Sequence, residues 1–111
     1  MKLTIIIPVF NEERTIETII EKILIQKNID KEIIIIDDGS TDRTVEILKN
    51  RIASKVTKII YHQHNKGKGA AIRSAIKFIS GEIVIIQDAD LEYDPSDYKI
   101  LIQPIVDKSF E

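Results

Sequence analysis

Short β-branched runs alternate along this chain with longer stretches whose apolar residues recur every three or four positions. "LTIIIPV", Leu3 to Val9, is continuously apolar rather than alternating, which predicts a strand buried on both faces. From about Glu12 to Lys27, Ile16, Ile19, Ile20 and Ile23 fall on one face of a helix. "EIIIID", Glu32 to Asp37, predicts a second buried strand. A helix is expected from about Thr41, with Ser40 or Thr41 as N-cap and Val45, Leu48 and Ile52 facing inward. "VTKIIYH", Val56 to His62, is a more polar third strand, suited to a sheet edge. The next helix runs from Gly69 to about Ser80, carries Ile72, Ala75, Ile76 and Ile79, and takes Gly81 as its C-cap. "EIVIIQD", Glu82 to Asp88, is the fourth strand. Asp94 and Pro95 then supply an N-cap and a first-turn proline for a last helix, with Tyr98, Leu101, Ile102 and Ile105 inward.

This βαβαβαβα order predicts an α/β fold: a mostly parallel sheet of about four strands, helices on both faces and right-handed crossovers. At 111 residues the chain is a single domain, and no linker, repeat or low-complexity segment interrupts it. A charged fraction of 31% beside 43% hydrophobic residues is globular composition. The net charge of −2 argues against a nucleic-acid partner or an acidic membrane held by charge alone. There is no cysteine, which removes disulfides and thiolate metal sites. Apolar runs of four to five residues fall far short of the ~20 that span a bilayer. Met1 and Lys2 lead directly into a strand, so no signal peptide is expected and the cytoplasm is the expected compartment.

In open parallel sheets, ligands bind beyond the carboxyl ends of the strands, where strand order reverses. Each predicted strand here ends in an odd polar segment: "PVFNEE", "DDGSTD", "HNKGKGAA" and "DADLE". All four fall on one edge of the sheet, whereas "QKNIDK" and "SG" at the opposite edge are ordinary connections. The last segment sets down Asp88, Asp90, Glu92 and Asp94 in close succession. Such carboxylates repel one another unless they are solvated or share a cation. Asp37-Asp38-Gly39 reads either as a turn and cap or as acceptors for a base or ribose. Asn65, Gly67 and Gly69 read as a flexible turn or as close backbone approach to a ligand before a helix. Lys66, Lys68 and Arg73 stand either on a solvated face or beside diphosphate charge. His62 and His64 read as strand-end residues with no metal-binding spacing. Asn11 reads as a cap for the first helix, and Glu12 suits its first turn. Neither G-x-G-x-x-G nor G-x-x-x-x-G-K-[ST] occurs.

Taken in order, "IIIPVFNEE", "IIIIDDGSTDRT", "NKGKGAAIR" and "IIQDADLEYDP" resemble the N-terminal half of the inverting glycosyltransferases of family 2, which have the GT-A fold. The resemblance is strongest to the branch containing dolichyl-phosphate mannose synthase and bacterial polyprenyl-phosphate glycosyltransferases. It implies that Pro8, Phe10 and Glu12 contact a nucleotide, with Phe10 in place of the common Tyr. It places Ile36 and Asp38 at the base or ribose, and Asn65 to Gly69, including Gly67 and Lys68, along the donor pocket. Asp88 and Ala89 would meet ribose and diphosphate. Asp90 would be the principal protein ligand of Mg²⁺ or Mn²⁺, with Asp88 beside it and Glu92 as a second ligand.

The implied function is metal-dependent transfer from a GDP- or UDP-sugar to an acceptor such as a polyprenyl or dolichyl phosphate at a membrane surface. Such an anionic acceptor needs little or no general base, and no catalytic residue is assigned. The alternative is a non-catalytic module that holds a nucleoside diphosphate and metal. A flavodoxin-like phosphoacceptor domain fits less well, because its acidic pair should follow the first strand rather than the second. Enzymes of this family continue into an acceptor-binding half. Residues 1–111 are therefore expected to be the donor-binding portion, inactive alone, with an apolar surface open to self-association.

Overall fold

The computed structural model describes residues 1–89. The expected last helix, Asp90 and Glu92 lie outside the described residues. Four strands form one sheet: β1 (Leu3–Val9), β2 (Lys31–Asp37), β3 (Lys58–Tyr61) and β4 (Ile83–Ile86). Their order is β3-β2-β1-β4 and every pairing is parallel. The chain steps outward from β1 to β3, then crosses back to lay β4 on the other side of β1, so the order reverses at β1.

Continuous apolar runs form these strands because both faces are covered. Ile5 and Ile7 of β1 and Ile33 and Ile35 of β2 point into one layer, with Ile16, Ile19, Ile20 and Ile23 of α1 (Ile16–Leu24). Leu48 and Ile52 complete that layer. Ile6, Ile34 and Ile36 point the other way, onto Ala71 and Ala75 of α3 (Lys68–Ile76). The small alanines let α3 lie close to the sheet. Pro8 ends the central strand at no cost to the ladder. The Ile6 carbonyl faces β4, so Pro8, two residues on, faces the same side, beyond the last β1–β4 pair at Ile6 and Ile86.

Several boundaries differ from the periodicity. The first helix starts at Ile16, not Glu12, because residues 10–15 are pulled into contacts with a neighbouring loop. α2 (Thr44–Ile47) starts three residues later than expected and continues through a wide π-helical turn, Leu48–Ile52, and a tight 3₁₀ turn, Ala53–Lys55. Its buried positions are Thr44, Leu48 and Ile52; Val45 is only half-buried. α3 ends at Ile76, so Gly81 is not its C-cap. Gly81 instead enters β4 under the sheet, where an added Cβ would stand 2.4 Å from Thr4 Oγ1 and 2.8 Å from Thr4 N. No helix among the described residues is long and apolar enough to cross a membrane.

The sheet edge away from the loops of interest is tied by a buried carboxylate. Glu32 accepts from Thr4 Oγ1 at 2.6 Å, Ser80 N at 2.7 Å and Ser80 Oγ at 2.8 Å, with Lys2 Nζ at 3.6 Å. Burial alone would raise its pKa. The hydrogen bonds from Thr4 and Ser80, helped by the Lys2 charge, outweigh burial and hold the carboxyl below its ordinary value. Replacing Glu32 with Ala strands the Ser80 amide and is expected to lower the urea-unfolding free energy by about 2–4 kcal/mol. A depressed folded pKa means stability that is full above the ordinary carboxylate value of 4.5 and declines as pH falls through the folded one. The gap in unfolding free energy between wild type and Glu32→Gln should therefore narrow in acid. A constant gap would count against the assignment.

Candidate functional site

The loops after the four strands gather at one sheet edge and are stitched together. The loop after β1 joins the loop after β2: Asn11 N donates to Ser40 Oγ at 2.9 Å and Glu12 N to Thr44 Oγ1 at 2.9 Å. Asn11 takes a left-handed backbone, φ 52°, and its Oδ1 accepts from Thr41 N at 2.7 Å and Asp42 N at 3.2 Å. It thus orders the loop before α2 rather than capping the first helix. Asp42 Oδ1 accepts from Thr44 N at 2.9 Å, which sets the true start of α2.

Asp38 joins the loop after β2 to the loop after β3. Its Oδ1 accepts from Lys66 N at 2.9 Å and lies 2.9 Å from His62 Nδ1; its Oδ2 accepts from Gly67 N at 2.8 Å. Burial works to raise the Asp38 pKa, but these bonds, led by His62, bring it below the ordinary value. On the other side of the ring, His62 Nε2 is 2.8 Å from Ser74 Oγ, and Ser74 Oγ reaches the Ala70 carbonyl at 3.1 Å. A continuous polar chain therefore runs from α3 through His62 to Asp38 and the two loop amides. The side chains of His62 and Asp38 are only 7% and 5% exposed, so this chain is an internal brace. Gly39, at φ 77°, lets the same loops touch: an added Cβ would lie 2.6 Å from both Asn65 N and His64 C.

Two contacts bring in the segment after β4. Thr15 Oγ1 lies 2.5 Å from the Ala89 carbonyl and 3.1 Å from Glu12 Oε2, and its one proton serves either. Lys68 Nζ is 2.6 Å from Asp88 Oδ1.

Within this ring lies a cavity of about 310 Å³. It is lined by Pro8, Phe10, Glu12, Asp38, Asn65, Gly67, Lys68, Asp88 and Ala89, together with Val9 and Ala71. Of the described residues singled out from the sequence for the donor pocket, Ile36, Lys66, Gly69 and Arg73 are not in its lining, and Arg73 lines a separate groove along β3 and α3. Ile36 is fully buried under α3 and supports the cavity from the core. Gly67, at φ 96°, has nothing among the described residues within 4 Å of where a Cβ would stand, so its backbone is open on that side to the cavity. A larger open groove of about 620 Å³ runs along β3 and α3 past Lys58, Lys77 and Phe78, and none of the described carboxylates after the strands lines it.

His62, Ser74 and Thr15 carry much of this geometry and were not singled out as functional. The only sequence signal for His62 is its place at a strand's carboxyl end. Spacing gives no hint that its ring turns inward to a carboxylate.

The family model for glycosyl transferase family 2 matches residues 4–110. The chain is 32% identical over 106 residues to a dolichol-phosphate mannosyltransferase of Pyrococcus furiosus, covering 95% of this chain and 30% of that protein. It is 35% identical over 105 residues to an undecaprenyl-phosphate 4-deoxy-4-formamido-L-arabinose transferase of Pectobacterium carotovorum, covering 90% and 32%. Among solved structures it is similar to a mannosyltransferase from Pyrobaculum calidifontis in complex with GDP-Man and Mn²⁺, with TM-score 0.77 and 27% identity over 89% of this chain and 30% of that one. The chain thus spans about a third of the length of the curated relatives it matches.

Two substitutions probe the brace. Gly39→Ala combines a left-handed backbone with a clash against backbone atoms and is expected to cost about 2–4 kcal/mol in chemical unfolding. His62→Phe keeps a ring but leaves Asp38 without its side-chain partner. It should speed hydrogen exchange at the Lys66 and Gly67 amides while amides of β1 keep their protection. Uniform loss of protection across the sheet would contradict a local brace.

Proposed function

The chain belongs to glycosyl transferase family 2, and on that footing we propose that it forms the donor side of a metal-dependent sugar transfer from a GDP- or UDP-sugar to a polyprenyl phosphate. The observation that carries this reading is the convergence of four separate strand-end segments on one cavity at the point where strand order reverses. The relatives named for dolichol- and undecaprenyl-phosphate substrates support the acceptor class, and the neighbour holding GDP-Man and Mn²⁺ supports the donor and metal classes.

Within the cavity the residues divide by chemistry. Phe10 is 43% exposed at the rim and offers an apolar face to a nucleotide base. Gly67, with open space beside its backbone, admits a diphosphate close to the start of α3, where the helix dipole and the Lys68 ammonium favour negative charge. Asp38 is occupied by the brace and acts here by fixing the Lys66 and Gly67 amides.

Mg²⁺ and Mn²⁺ sites of this kind use one or two carboxylates plus substrate phosphates. Asp88 meets that requirement in part: its carboxylate lies at the cavity, partly exposed, and already draws a cationic group. No cluster of three or more metal-ligating side chains occurs among the described residues. By the family resemblance, Asp90 and Glu92 would add to Asp88. A bound ion supplies charge stabilisation for a departing diphosphate. In the transfer itself, an acceptor phosphate oxygen forms the bond to sugar C1. The bond from C1 to the diphosphate oxygen breaks, and its electron pair leaves with the nucleoside diphosphate. The acceptor is already anionic, so no proton has to be removed.

Calorimetry with GDP and UDP, with and without Mn²⁺, tests the reading. Binding of one of them is expected to require Mn²⁺ and to weaken about tenfold or more in Asp88→Asn, a loss in the range of a charged contact. Failure of both nucleotides to bind with Mn²⁺ present would overturn it. Nucleotide binding without sugar transfer to a polyprenyl phosphate, once an acceptor-binding half is supplied, would leave a non-catalytic holding module instead.

A further inference from the structure

The contact between Lys68 and Asp88 has a consequence for the order in which charges enter the cavity. Lys68 Nζ is 2.6 Å from Asp88 Oδ1, with the two side chains 57% and 26% exposed. Among the described residues this is the shortest contact between a carboxylate and a cationic group. An ammonium at this distance and a divalent ion compete for the same carboxylate, because their charges repel.

We propose that Lys68 is a cation-exchange residue: it neutralises Asp88 while the cavity lacks donor, and releases it when a divalent ion enters with a nucleoside diphosphate. This deepens the reading given under Proposed function and rests on it. Lysine suits the exchange because its charge is a compact point on a flexible four-carbon stem. Its anchor at the first residue of α3, directly after Gly67, keeps the ammonium within reach of the open space beside the Gly67 backbone. Diphosphate oxygens arriving there give it a new partner. An exposed ion pair is weak enough to be exchanged readily. Lys68 therefore opposes the metal when the metal comes alone and favours the metal–nucleotide pair.

This predicts effects of opposite sign from one substitution. Mn²⁺ alone is titrated into the whole chain, with free ion followed by its electron paramagnetic resonance signal. Lys68→Met is expected to bind Mn²⁺ about two- to fivefold more tightly than wild type, the reach of a partly exposed ion pair. In calorimetry with Mn²⁺ present, the same variant is expected to bind GDP or UDP about five- to tenfold more weakly, as for loss of a charged contact to phosphate. Lys68→Arg, which keeps the charge, should not tighten Mn²⁺ binding as Lys68→Met does, and Asp88→Asn should weaken binding in both titrations. Circular dichroism checks that each variant is folded. Mn²⁺ affinity unchanged or reduced in Lys68→Met overturns the proposal, even if nucleotide binding falls. If wild type binds neither nucleotide with Mn²⁺, the glycosyl-transfer reading fails, while the titration with Mn²⁺ alone still decides whether Lys68 competes for Asp88.

Discussion

Parallel pairing is the constraint from which the rest of this molecule follows. Four strands running in the same direction must all end on the same edge, and each of the first three must be followed by a crossover that returns the chain to the start. Whatever polar residues end the strands are therefore delivered to one side of the sheet. The reversal of order at β1 then opens a gap there, between the end of the central strand and the end of β4. The cavity sits over that gap. Its walls come from positions as far apart as Pro8 and Ala89.

Delivery to one edge does not by itself make a pocket, because polar loops in water have no reason to hold a shape. Buried carboxylates hold this one. Asp38 takes three hydrogen bonds from the far side of a loop junction, and its charge is stabilised despite burial because each donor points at it. Glu32 does the same at the opposite edge, where it ties Thr4 to Ser80. The sheet is thus clamped at both ends by buried, hydrogen-bonded carboxylates. Asp37 differs: it is equally buried, yet among the described residues its Oδ1 has no hydrogen-bond partner and only Oδ2 accepts, from Ser40 N. The contrast shows that the two adjacent aspartates, the last residue of β2 and the first beyond it, are not equivalent.

The part of the site legible in the sequence was its location and most of its lining. Phe10, Asp38, Asn65, Gly67 and Asp88 are unusual residues at strand ends, and strand ends are visible because isoleucine runs stop there. The brace was not legible. His62 looks like any strand-end histidine until β3 and α3 are packed, and Ser74 looks like one polar residue in a helix. Gly81 has the sequence context of a helix cap, but its real neighbour is Thr4, 77 residues earlier. Asn11 likewise serves a loop 30 residues ahead instead of the helix beside it. Local preference points to the nearest use of a residue, and tertiary contact can claim it for a distant one.

What the sequence determined alone was the alternation of elements, the two-faced burial of β1 and β2, the inward stripe of α1 and the edge that carries the chemistry. These depend on periodicity and on parallel connectivity, both of which are properties of order along the chain. Tertiary structure decided which of two adjacent aspartates became the brace and where α1 and α2 begin. It also decided that Lys68 answers Asp88 across the cavity. Those outcomes depend on distances between residues far apart in the chain, and such distances exist only once the sheet has closed and the helices have settled onto its faces.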